Sequence, residues 1–161
     1  MSLDASVDFR VVDINSRVVV SPLKVIEILS GNGWNLLNED GYACYLPVGD
    51  NDMFDWTGSK ISVSELMKIL EKKEKNKELI GVRIAWKNTE IGGNLLLWDK
   101  DEAKDKKIYA PISFDLDANR KILAEYDDFK ITDVNWYLER LIPAFNQGDT
   151  LVECYKYDEH I

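Results

Sequence analysis

A chain of 161 residues with 45% hydrophobic and 30% charged side chains is long enough for one domain with a full core and too short for two ordinary ones. Its net charge of −9 repels phosphate backbones, which argues against direct nucleic-acid binding. No apolar run approaches the roughly 20 residues that span a bilayer, and Met1 to Arg10 lacks a basic region followed by an apolar stretch, so a cytoplasmic protein with no membrane partner is expected.

From the N-terminus, Val7, Phe9 and Val11 alternate with polar positions and predict a strand; Asp13 to Ser16 can turn, and Arg17 to Val20 resume β structure. Ser21-Pro22 reads as a helix cap followed by proline at the first helical position, where a missing N–H costs nothing. Leu23, Ile26 and Leu29 follow at helical spacing, and Gly31-Asn32-Gly33 supplies the stop. Trp34 to Leu37 and Tyr42 to Leu46 flank Asn38-Glu39-Asp40-Gly41, which predicts a hairpin. Asp50 to Lys60 reads as a loop. Ser62 and Glu65 have capping-box spacing before a helix that ends near Lys75, and its lysines are expected on a solvated face.

Leu79 to Trp86 and Leu95 to Trp98 predict strands around the turn-rich segment Lys87 to Asn94, and Asp99 to Lys107 reads as a charged loop. Ile112, Phe114 and Leu116 mark a half-buried strand, while Lys121 to Tyr126 fits either strand or short helix. Thr132 is expected to cap a third helix, with Ile131 and Trp136 as its hydrophobic staple and Pro143 bending or ending it. Leu151 to Tyr157 is a last strand. So many hairpins exclude a parallel α/β sheet. The expectation is a single α+β domain over residues 1–161, a mostly antiparallel sheet with about three helices packed on one face.

Catalytic constellations are scarce. The one histidine, His160, sits beside the C-terminus, where chains fray, so a Cys-His or Ser-His nucleophile has no placed base. Cys44 and Cys154 are isolated and suit a reducing compartment, with a single disulfide as the alternative; no zinc set is present. Gly92-Gly93 precedes a strand and Gly31-Asn32-Gly33 ends a helix, so neither cradles phosphate. Asp115 to Asn119 begins like a calcium loop, but Arg120 stands where glycine is needed and Tyr126 where a bidentate Glu is needed. No cofactor is expected.

The most unusual stretch is Asp50-Asn51-Asp52-Met53-Phe54-Asp55-Trp56, where carboxylates interleave with large apolar side chains. Aromatic residues bordered by charge are typical anchors for protein partners, which makes Asp50, Asp52, Phe54, Asp55 and Trp56 the candidate binding residues. The alternatives are that Phe54 and Trp56 tuck into the core, or that the carboxylates hold a cation or work as an acid/base pair. The charge is also uneven. Residues 1–59 hold 9 acidic and 3 basic side chains and residues 123–161 the same, while residues 60–122 hold 11 and 14. The acidic C-terminal part, with Asp127, Asp128, Asp133 and Glu139, could extend the same surface.

Ile80 to Trp86, Ile91 to Leu97 and Thr132 to Leu138, together with size, acidity and aromatic content, resemble the small bacterial immunity proteins encoded beside contact-dependent growth-inhibition and other polymorphic toxins. The resemblance implies a cytoplasmic, non-enzymatic protein, monomeric when free, that binds and neutralises a cognate toxin, often a basic nuclease domain. Two other functions stay open. One is a carboxylate-based or metal-assisted enzyme using Asp50, Asp52, Asp55 or the pair Asp115 and Asp117. The other is a structural or adaptor protein of a mobile element.

Overall fold

The computed structural model describes residues 4–117, 121–126 and 129–160. An eight-stranded sheet is built from β1 (Asp4–Asp13), β2 (Trp34–Asn35), β3 (Tyr42–Tyr45), β4 (Thr57–Lys60), β5 (Ile80–Trp86), β6 (Gly92–Leu97), β7 (Ile112–Leu116) and β10 (Thr150–His160). Its order is β10-β1-β7-β6-β5-β3-β4, with β2 also on β5, and every pairing is antiparallel. A separate hairpin joins β8 (Ile122–Tyr126) to β9 (Phe129–Thr132).

Strand alternation decides where the core lies. Val7, Phe9 and Val11 of β1, Val82 and Ile84 of β5, Leu95 and Leu97 of β6, and Ile112 and Phe114 of β7 are all buried in one cluster. The same cluster holds Val25, Ile26 and Leu29 of α1 (Pro22–Ser30), Leu66 and Leu70 of α2 (Val63–Lys75), and Tyr137, Leu141 and Phe145 of α4 (Val134–Phe145). The three expected helices therefore share one face of a mostly antiparallel sheet, an α+β fold. The intervening strand positions, such as Ser6, Asp8, Asn94, Ser113 and Asp115, form a polar opposite face that is partly or fully exposed.

Local chemistry explains most element ends. Ser21 Oγ accepts from the Lys24 amide and Ser62 Oγ from the Glu65 amide, as their spacing predicts. Ser62 Oγ also meets the Glu65 carboxylate at 3.1 Å. Gly92 and Gly93 belong to β6 rather than to the turn before it. A Cβ on Gly92 would lie 1.9 Å from the Ile84 carbonyl oxygen, and one on Gly93 1.9 Å from that of Asp115. Only glycine allows neighbouring strands this close.

Several expectations are corrected. Arg17 to Val20 form no strand beyond the single bridge Val12 to Val19, because Asp13 Oδ1 caps the amides of Asn15 and Ser16 and Arg17 turns to φ 59°. Trp34 and Tyr42 do not sit in one hairpin: β2 pairs with the end of β5, whereas β3 pairs with β4, which occupies residues expected to be loop. Asp99 caps a fourth helix, α3 (Lys100–Asp105), within the expected charged loop. Asp133, not Thr132, caps α4; Thr132 ends β9 and donates its N–H and hydroxyl to Glu159. Ile131 is half-exposed and staples nothing, and α4 continues past Pro143 to Phe145. His160 is not frayed but pairs with Asp4 at the end of an eleven-residue strand. Both cysteines are free thiols.

Candidate functional site

The connection from β3 to β4 is built around two buried ions. Asp50 is only 5% exposed, and its carboxylate accepts from the amides of Met53 (2.9 Å), Phe54 (3.1 Å) and Asp55 (2.7 Å). Burial alone would raise its pKa, but the three amides and the nearby Lys73 charge outweigh burial and hold it below the ordinary carboxylate range. Lys73 comes from α2 and is fully buried. Its ammonium donates to the carbonyls of Pro47 and Asp50, both at 2.7 Å, and to Glu78 at 3.3 Å. Each of its three donors has an acceptor.

Two more residues complete the brace. Glu78 accepts from the Gly49 amide at 2.7 Å and from the Asn76 side chain at 3.1 Å. Burial pushes its pKa up, but these donors and Lys73 bring it below the usual value. Asn51 Oδ1 accepts from the Leu79 amide at 2.7 Å, tying the loop to the start of β5. Trp56 is half-buried over Gly81, where a Cβ would come within 2.9 Å of the indole and 2.6 Å of Leu46. A glycine in β5 thus makes the seat for the indole.

This frame holds out a tip. Asp52, Met53, Phe54 and Asp55 are exposed, with Met53 at 76% and Phe54 at 48%. Phe54 has φ 55°, a left-handed conformation that costs a non-glycine residue about 1–2 kcal/mol. Of the five candidate residues, the fold presents Asp52, Phe54 and Asp55 together and uses Asp50 and Trp56 to hold them. Sequence reasoning missed the exposed Met53 at the tip and Asn51, Lys73 and Glu78 as supports. Lys73 was legible in principle: it lies three residues after Leu70 and seven after Leu66, on the apolar stripe of α2 and not on a solvated face.

The other carboxylates have different surroundings. Asp117 is locked to the Arg83 guanidinium at 2.7 and 2.6 Å and also accepts from the Gly92 amide, while residues 118–120 of the calcium-like run lie outside the described residues. Asp115 stands on the open sheet face, its pKa raised by partial burial and then by the charges of Asp4 and Asp8. Among the described residues no group of three or more His, Cys, Asp or Glu side chains could hold a metal ion, and no helix is long and apolar enough to cross a membrane. Of the C-terminal acids, Asp133 caps α4 and Glu139 is exposed on it, while Asp127 and Asp128 lie outside the described residues. No protein-family model, curated protein or solved structure matches the chain.

Proposed function

We propose that this chain is an immunity protein, which binds a cognate, basic bacterial toxin domain and neutralises it by covering its active or substrate-binding surface. The observation that carries the reading is the loop tip: Met53 and Phe54 stand exposed between Asp52 and Asp55 on a frame braced by buried Asp50 and Lys73. Large apolar anchors flanked by charge concentrate binding energy, and a pre-ordered loop loses less entropy when it docks. A surface that evolved to meet phosphate would in turn meet these carboxylates through charge-assisted hydrogen bonds. Blocking such a surface needs affinity and no chemistry.

Co-expression with the product of the adjacent upstream gene tests the proposal. The expected result is a stable complex and protection of the host from growth arrest; neither complex nor protection would end it. Within a complex, Asp52→Lys with Asp55→Lys is expected to slow association by about tenfold or more at low salt and to flatten its salt dependence. Unchanged association kinetics would move the binding face away from this loop.

A further inference from the structure

On a chain of net charge −9, one groove is lined mainly by basic side chains. It encloses about 680 Å³ between the β1–α1 connection, α3 and the segment leading into β7, a volume in the range of small-molecule sites. Arg17, Lys100, Lys104 and Lys107 line it, and none of the four makes an ion pair among the described residues. The one acid among the lining residues, Asp101, is already paired with Lys77 at 3.0 Å. Between the cations lie Val18, Val19 and Ile108, with Val18 half-exposed.

The walls are fixed. Arg17 takes its left-handed conformation in a turn closed by its own amide on the Asp13 carbonyl and by the Asp13 amide on that of Val18, both at 2.9 Å. Lys100 and Lys104 are one helical turn apart on α3, so they share a side of that helix. The Ile108 amide returns to the Ala103 carbonyl at 2.7 Å and closes the helix end beside Lys107. At the far wall Arg10 lies 4.5 Å over the Tyr109 ring and donates to Glu153 at 3.0 Å, while the Tyr109 hydroxyl donates to the same carboxylate. Arg10 is therefore neutralised and held, and the exposed Tyr109 ring becomes a stiff flank.

Four cations outside any close ion pair, with the Asp101 charge near Lys100 and Lys104, stand beside apolar lining residues and suit one kind of occupant. We propose that this groove binds a small amphipathic anion, an aliphatic or aromatic body carrying a carboxylate or phosphate head. The body covers Val18, Val19 and Ile108 and so leaves water. The head lies among Lys100, Lys104, Lys107 and Arg17, which lose their mutual repulsion. Inorganic phosphate satisfies only the cations, and a neutral alkyl chain only the floor.

Titration calorimetry of the whole chain with decanoate, kept below micelle formation, tests this. Saturable binding is expected, weakening by up to about fourfold for each methylene removed down to octanoate. Decanol should bind more weakly than decanoate, and inorganic phosphate should not compete at millimolar concentration. Lys104→Glu with Lys107→Glu, checked for an unchanged melting temperature, should lower decanoate affinity about tenfold or more. Val18→Ser, which keeps every cation, should weaken decanoate as well. Four results would overturn the proposal: no saturable decanoate binding, equal affinity for decanol, phosphate competing as well as decanoate, or binding to phosphatidylglycerol vesicles without binding to free decanoate.

Discussion

The acidic loop and the basic groove both display charge beside exposed apolar side chains, yet they are supported in opposite ways. In the loop the displayed charges, Asp52 and Asp55, are not the ones that hold its shape; buried Asp50 and Lys73 do that together with the partly buried Glu78. In the groove no ion is buried, and backbone turns and apolar packing position the lysines. The two regions meet at adjacent residues: Glu78 braces the loop, and Lys77 reaches Asp101 on the groove wall. That exposed ion pair contributes little by itself. The difference teaches that charges shaping a surface and charges offered by it are separate sets, which a net charge of −9 adds together.

Lys73→Met tests this contrast most severely. The variant keeps the stem in place but strips a donor from two carbonyls and a cation from Glu78, so a stability loss of about 3–5 kcal/mol is expected from the urea midpoint. Adding Glu78→Gln should return part of that loss, because Glu78 is then no longer a carboxylate stripped of its cation, while Asp50 keeps its three amide donors. In the groove, Lys104→Ala should stay within about 0.5 kcal/mol of the parent. Similar losses for Lys73 and Lys104 would erase the distinction between the two regions.

What could be read without coordinates follows from how local each signal is. The strands ending in Trp86 and Leu116 and the helices behind Ser21 and Ser62 depend on periodicity and caps, which neighbouring residues determine. Strand partners do not. Asn38 to Gly41 do turn, with Asn38 Oδ1 accepting from the amides of Asp40 and Tyr42, but the ladder does not continue from that turn. Instead Trp34 finds Trp86, with the rings 5.3 Å apart, and Tyr45 finds Val82, contacts made across more than thirty residues of chain. The loop was legible as unusual and not as braced. Asp50 caps the loop locally, but the remaining partners, Lys73 of α2 and Glu78 and Leu79 just before β5, come from outside 50–56, and no spacing within the loop encodes them. Likewise the groove collects residues around 17, which read in sequence as β structure, and residues around 100 and 107, which read as a charged loop.

An intermediate effect should come from pH. Asp50 and Glu78 have pKa values depressed in the folded state, so both bind protons more weakly folded than unfolded. Their stabilisation is then fully present above the unfolded values of about 4 and is lost as pH falls through the depressed folded values. Unfolding followed from about pH 7 to pH 3 should show stability falling below about pH 4. Asp50→Asn should lower stability by about 1–3 kcal/mol at neutral pH and reduce the acid slope. An unchanged slope would mean that the carboxylate does not hold the loop.

A small change in stability is expected at Phe54, and its size is informative. Glycine there removes a left-handed strain of about 1–2 kcal/mol but adds unfolded-state entropy costing about 0.5–1 kcal/mol. The ring is only half-exposed, so the burial it loses offsets part of that relief. Phe54→Gly should therefore stay within about 1 kcal/mol of the parent, whereas an aromatic ring packed in the core costs about 3–5 kcal/mol when removed. In the proposed complex the same variant should weaken affinity about thirtyfold or more, the size expected of a central anchor. A residue whose loss spares the fold and harms the contact is strained for a purpose outside the fold. Destabilisation by about 2 kcal/mol or more would instead make Phe54 a packing residue, and the tip would lose its standing as a binding surface.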